Sequence, residues 1–249
     1  MTFHCRPCAF FCTALLLTVV LTSPALGDGE HKCPKNQFYL FPCRCLSGGF
    51  KGISLLCDNS NLATFALALS NVKEPINSLV VTNSNITRLV GQLFKEKSVH
   101  SLTFRHSNLR DVDSDSLTCL KNDIRSLSFE ENQFKSIPDS INVLLNLTRV
   151  VFANTASISE VKSGAFKKLV NLIEVDLHNN SIKKIESATF APLVVLERLD
   201  LSHNQLSKLE RNLFRTNKKL SYLDLSYNKF KEIGTEPKLF SNDDPYQAD

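Results

Sequence analysis

The chain has 249 residues, 43% of them hydrophobic, and 29 Lys plus Arg against 25 Asp plus Glu leave a formal charge of only +4. That balance argues against a nucleic-acid footprint, which shows as a clustered basic excess. Beyond the extreme N-terminus no apolar run approaches the roughly 20 residues that a membrane-spanning helix needs. Residues 1–27 read as a secretory leader: Arg6 supplies positive charge, Ala9 to Leu21 is largely apolar, Ser23-Pro24 stops the run, and Ala25-Leu26-Gly27 offers small residues for cleavage. The mature product is expected to start at Asp28 and to be secreted, soluble and without a membrane anchor.

Cys5, Cys8 and Cys12 fall inside the leader, and four of the other five cysteines cluster as Cys33, Cys43, Cys45 and Cys57 within a cap region, residues 28–75. In an oxidising compartment such a cluster is a disulfide framework, with zinc as the competing reading. Four cysteines allow three pairings, and spacing does not choose among them.

From residue 76 to residue 233 the chain repeats one phrase about seven times, most cleanly as Leu220-Ser-Tyr-Leu223-Asp-Leu225-Ser-Tyr-Asn228-Lys-Phe230. The residues at the Asn228 place are Ser84, Ser107, Asn132, Thr155, Asn180, Asn204 and Asn228, separated by 23, 25, 23, 25, 24 and 24 residues. A fixed period of this kind decides the architecture before any propensity does. Each copy carries an alternating apolar pair, Leu79/Val81 in the first and Leu223/Leu225 in the last, with the period of a strand that buries one face. Return segments add their own apolar marks, such as Ile182, Ile185, Phe190 and Leu193. A single unit cannot bury its apolar face, so copies stack and their strands line a curved α/β solenoid with a parallel concave sheet and an irregular or short-helical convex side. Asparagine at the turn suits a buried amide bonding backbone groups of its own and the neighbouring coil. Leu55, Cys57, Ser60 and Leu62 stand in register ahead of Ser84, so the cap should continue the sheet, while the late apolar residue Ile158 after Thr155 predicts a local irregularity.

These phrases identify the chain as resembling the extracellular leucine-rich-repeat proteins, whose N-terminal cysteine cap has a spacing like that of Cys33 to Cys57. The resemblance implies the pairs Cys33–Cys45 and Cys43–Cys57. A closer resemblance rests on Cys43-Arg-Cys45, Cys57-Asp-Asn-Ser-Asn-Leu62, Phe65-Ala-Leu-Ala-Leu69, Glu74-Pro75-Ile76 and Asn85-Ile-Thr-Arg-Leu89. Together these are similar to arthropod secreted proteins of the kind that includes the non-catalytic subunit of decapod shrimp (Oplophorus-type) luciferin 2-monooxygenase. It implies an accessory or scaffold protein without luminescence of its own.

Register turns scattered residues into columns on the concave face. The central column runs Val80, Thr103, Ser128, Val151, Asp176, Asp200, Asp224, and the flanking columns supply Arg149, Glu174, Arg198 and Tyr222 on one side and Arg105, Glu130, Ala153 and His178 on the other. The face should pass from small neutral residues through an Arg105–Glu130 pair to carboxylates with Tyr222 and Tyr227. Candidate partner-binding residues are therefore Arg105, Glu130, Arg149, Asp176, His178, Asp200, Tyr222, Asp224 and Tyr227, for an extracellular protein or, alternatively, a microbial, matrix or glycan ligand. Asp176, His178, Asp200 and Ser202 gather hydrolytic side chains, but on an open sheet and without a nucleophile-elbow or metal motif. No catalytic residue, metal or cofactor is expected.

Three sequons, at Asn85, Asn146 and Asn179, are expected glycan acceptors in a secreted chain. Asn179, beside the ladder residue Asn180, is the most crowded. Cys119 has no partner in the cap and aligns with an exposed place, which suggests an intermolecular disulfide and a linked dimer. Residues 234–249 form an irregular tail with no second cysteine cap. The last coil is then covered by Gly234 to Phe240 or by another chain, or else the sequence is a truncated product.

Overall fold

The computed structural model describes residues 29–230; the expected leader and the tail lie outside the described residues. Nine strands form one sheet in sequence order: β1 (Cys43–Ser47), β2 (Ile53–Asp58), β3 (Ile76–Thr82), β4 (Val99–Arg105), β5 (Ser126–Glu130), β6 (Arg149–Ala153), β7 (Glu174–Asp176), β8 (Arg198–Asp200) and β9 (Tyr222–Asp224). β1 and β2 are antiparallel, and every later neighbour is parallel. Monotonic strand order with parallel pairing is what identical units produce when each contacts only its neighbours.

The register read from the repeat holds. Leu55, Leu79, Leu102, Leu127, Val150, Val175, Leu199 and Leu223 stand side by side across the sheet. All but Leu223 are fully buried. β2 joins with Leu55 opposite Leu79 and Cys57 opposite Val81, so the cap does continue the sheet. Its helix α1 (Leu62–Ser70) starts at Asn61, whose side chain accepts the Thr64 backbone N–H while the Thr64 hydroxyl accepts the Asn61 N–H, and it buries Phe65, Ala68 and Leu69. The disulfides are Cys33–Cys45 and Cys43–Cys57, with Cα separations of 5.6 and 3.8 Å.

Aromatic rings run through the core in two files. Phe104, Phe129 and Phe152 occupy the second inward place of β4, β5 and β6, with centroids 6.1 and 5.1 Å apart. Where Leu177 and Leu201 replace phenylalanine there, the bulk shifts to the return segments, and Phe166, Phe190 and Phe214 stack at 6.2 and 5.7 Å. This exchange keeps the volume of each coil filled, which dense interiors require.

The turn asparagines work as a ladder. Asn180 accepts the Thr155 N–H at 2.9 Å and donates to the Phe152 carbonyl at 2.7 Å; Asn204 accepts from Ile182 N at 3.0 Å and donates to the Leu177 carbonyl at 2.9 Å. Where serine takes the place, Ser60 and Ser84 share a hydroxyl contact of 2.8 Å. Just before each ladder residue, Asn59, Asn83, His106, Glu131, Asn154, Asn179, His203 and Tyr227 adopt a left-handed backbone with φ between 48° and 55°. That conformation tilts the chain sharply off the sheet and is unfavourable for residues other than Gly, Asn or Asp. From Ser84 onward the ladder side chain, hydroxyl or amide, donates to the carbonyl two residues back and so bridges this turn. The irregularity predicted after Thr155 is confined to a turn closed by Ile158 N–H to the Thr155 carbonyl at 3.2 Å, while β6 keeps its register.

On the convex side, α2 (Ser114–Thr118) is the second short helix, and Cys119 at its end is exposed and unpaired.

Candidate binding surface

The concave face does not present every column residue that register places outward. Ser128 and Val151 are each 2% exposed and Ala153 is fully covered. Strands about 4.8 Å apart let a long side chain lie across a short neighbour. Arg149 Nε pairs with Glu174 Oε2 at 3.1 Å, Arg105 Nη2 with Glu130 Oε2 at 2.7 Å, and the Ser128 hydroxyl donates to Glu130 Oε1 at 2.7 Å. The middle of the face thus carries cross-strand ion pairs beside its central column, and the expected Arg105–Glu130 pair is one of them.

Further along, on β7 to β9, the face changes. Asp176, Asp200 and Asp224 stand in line, and each carboxylate takes the backbone N–H two residues on: His178 at 3.0 Å, Ser202 at 2.9 Å and Ser226 at 2.9 Å. One oxygen of each is therefore structural, closing the strand end. Asp176 Oδ1 also meets His178 Nδ1 at 2.7 Å. Tyr222 donates its hydroxyl to Asp224 Oδ2 at 3.3 Å, and the Arg198 guanidinium lies 4.2 Å from the centre of its ring. Glu174, Asp176, Arg198, Asp200 and Tyr222 wall a shallow basin of about 170 Å³.

The electrostatics follow from these contacts. The Ser226 hydroxyl and N–H hold the Asp224 carboxyl below the ordinary aspartate value of 3.8. The negative charge of Asp224, with partial desolvation and Asp200 behind it, pushes the Tyr222 hydroxyl above its ordinary 10.0.

Tyr227 is displaced from where the sequence reading grouped it. It lies on the left-handed rim, 75% exposed, and stacks on His203 with centroids 4.2 Å apart and planes 12° apart. Sequence reasoning also left Arg198 and His203 out of the candidates. Only the ring contacts single them out, although Arg198 was legible as the register neighbour of Tyr222. The candidates therefore divide into the Arg105–Glu130 and Arg149–Glu174 pairs, the Asp176–Asp224 column with Tyr222, and the rim pair His203–Tyr227.

Asp176, His178 and Asp200 place one ligand atom each within 4.8 Å of one another. Both carboxylates already spend an oxygen on a backbone N–H, and the group lies half-exposed on an open sheet.

Of the sequons, Asn85 is exposed and its Nδ2 donates to no described residue, whereas Asn146 donates to the carbonyls of Lys121 and Asn122 and Asn179 donates to Asn154 Oδ1 at 2.6 Å.

A family model described as Leucine rich repeat matches residues 145–206 and 196–236. Solved structures similar to this chain include TLR13 in its complex with ssRNA13, at 25% identity and a TM-score of 0.53 over 69% of this chain and 28% of that one. A leucine-rich-repeat protein of Leptospira interrogans matches at 21% identity and a TM-score of 0.58, over 68% of this chain and 40% of that one. The leucine-rich repeat domain of the type III effector XopL matches at 21% identity and a TM-score of 0.52, over 59% and 51%. The chain thus spans about a quarter to a half of the length of these proteins, and the last two likenesses concern the fold alone. Repeat phrase, sheet order, ladder and disulfides together make this chain a leucine-rich-repeat solenoid with a disulfide-bonded N-terminal cap.

Proposed function

We propose that the chain is a secreted binding protein that holds an extracellular protein partner on its concave face, in the manner of a non-catalytic accessory subunit. The observation that carries this reading is the basin at β7 to β9, where carboxylates and the Tyr222 ring converge on an open surface and Tyr227 stands ready at the rim. Arg198 already covers one face of the Tyr222 ring, so the basin's carboxylates, Glu174, Asp176 and Asp200, are what suits a cationic side chain of the partner. Two disulfides fit an extracellular compartment, and no helix among the described residues is long and apolar enough to cross a membrane. The likeness to arthropod secreted proteins noted on the cap and first coil supports the accessory role.

A second reading is recognition of microbial or matrix ligands, and the likeness to TLR13, a protein solved with ssRNA13, sets the chain beside a ligand-binding solenoid. Pull-down of the mature glycoprotein from its own extracellular fluid separates the two. Stoichiometric recovery of one host protein supports the first reading, and recovery of microbial surface material the second. Replacing Arg105, Tyr222 and Tyr227 together by alanine abolishes either contact if the concave face carries it; undiminished binding moves the site to another surface.

A further inference from the structure

The cap carries an apolar surface that neither the core nor the concave basin uses. Phe38 is 85% exposed, Phe41 77%, Phe50 75%, Tyr39 67% and Leu46 57%. No other stretch of the described chain leaves so many large apolar side chains in solvent, and soluble monomers rarely leave such groups clustered without a use.

The backbone that presents them is fixed. Gln37 Oε1 accepts the Cys45 N–H at 3.0 Å, His31 and Gly49 exchange backbone bonds of 3.1 and 3.0 Å, and the Asn71 amide donates to the Tyr39 carbonyl at 3.0 Å. With the Cys33–Cys45 disulfide, these contacts hold the turn Phe38–Leu40, β1 and the β1–β2 loop as one layer at the first edge of the sheet. Charge in this layer is chiefly positive, with the exposed Asp58 carboxylate at the end of β2 lining the same hollow as Phe41 and Arg44. Between His31 and Cys57 stand Lys32, Lys35, Arg44 and Lys51, and no Asp or Glu.

We propose that this end of the solenoid docks on an anionic lipid surface, its aromatic rings entering the headgroup region and its lysines and arginine meeting lipid phosphates. Phe38, Tyr39, Leu46 and Phe50 stand in solvent, while Phe41 borders a hollow of about 280 Å³ beside Arg44 and Asp58. A bilayer interface receives protruding aromatic rings without any matching pocket, and basic residues beside them add attraction to anionic headgroups. A second copy of the chain is a poor occupant, because face-to-face contact sets the same cations against each other. The layer's β1 lies six strand spacings from β7, about 29 Å at the roughly 4.8 Å spacing of a parallel sheet, so docking leaves the concave basin open.

The chain contains no tryptophan, so Phe41→Trp creates a single reporter. With the mature, disulfide-bonded protein and vesicles of phosphatidylcholine with or without phosphatidylglycerol, co-sedimentation and a blue shift of the reporter are expected only when phosphatidylglycerol is present. A Tyr227→Trp reporter on the rim stays unshifted. Changing Phe38, Phe41 and Phe50 together to serine lowers partitioning by at least about tenfold, since a shallowly inserted amphipathic surface binds in proportion to its apolar area. Changing Lys35, Arg44 and Lys51 to glutamine lowers it by about fivefold per charge. All these positions are exposed, and circular dichroism with a disulfide map confirms that each variant folds. Absence of binding to the anionic vesicles, binding unaffected by both sets of substitutions, or a shift of the Tyr227→Trp reporter instead overturns the proposal. So does self-association through the cap, seen by ultracentrifugation as a dimer that the serine variant loses.

Discussion

Tyr222 and Asp224 stand two residues apart on the last described strand, and the tyrosine hydroxyl donates to the carboxylate at 3.3 Å while Arg198 covers the ring. The strand period puts both on the concave face, and their neighbours set opposite shifts. Asp224 is lowered, chiefly by the Ser226 hydroxyl, and Tyr222 is raised, chiefly by Asp224.

Two titrations check this pair. NMR of the Asp224 carboxyl is expected to show a midpoint below 3.8, and a folded value below the unfolded one means that its contribution to stability is whole above the unfolded value and lost as pH falls through the folded one. Phenolate absorbance is expected to show Tyr222 ionising above 10.0 and returning toward it in Asp224→Asn. A Tyr222 midpoint indifferent to that substitution contradicts the coupling.

The asparagine ladder has a graded energetic role. Asn180→Ala leaves the Thr155 N–H and the Phe152 carbonyl buried without their partner, a loss of about 3 kcal/mol at 1–3 kcal/mol per orphaned group. Asn228→Ala, at a half-buried place on the last described coil, should lose about 1 kcal/mol. Urea denaturation of the two variants measures the difference; equal losses would show that the ladder is not what holds the inner coils.

The convex ring file makes a separate packing prediction. Phe190 sits between Phe166 and Phe214 and is fully buried, so Phe190→Ala should destabilise by about 3–5 kcal/mol and Phe190→Leu by much less. Thermal melts of both variants give the comparison.

Glycopeptide mass spectrometry of protein from a secreting animal cell should find Asn85 the most heavily occupied sequon and Asn179 the least. Asn85 lies on an exposed coil and its Nδ2 has no acceptor among the described residues, although its Oδ1 takes the Asn108 amide at 3.5 Å, while Asn179 spends its Nδ2 on Asn154 in a left-handed turn. Heavier occupancy at Asn179 than at Asn85 would reverse the ranking.

Cys119 is exposed while the other described cysteines are bonded, so native maleimide labelling should add one group to any monomer and none to a Cys119-linked dimer, and the label is lost in Cys119→Ser. On non-reducing gels we expect a disulfide-linked dimer that the same substitution converts to monomer; a purely monomeric wild type with a free thiol excludes the link.

Much of the molecule is legible from the period alone. Repeat spacing places Leu79 beside Leu102 and Asp176 beside Asp200, because a stack of like units has only one register in which every coil buries its apolar pair. The turn asparagines were legible for the same reason, as was the pairing of Arg105 with Glu130. What register does not encode is how side chains lie once the strands are side by side. Val151 and Ala153 count as outward residues in any alignment, yet both are buried.

The amino-acid sequence by itself determined the solenoid, its order of strands and the identity of the concave columns, since these follow from periodic burial. Only the tertiary structure decided that a left-handed residue precedes each ladder position and swings Tyr227 onto His203 at the rim. It alone also assembled the aromatic layer of the cap from a turn, a strand and a loop. Both depend on backbone angles and cross-coil contacts between residues some 24 positions apart, as Ser60 and Ser84 are, and a linear pattern carries no record of those.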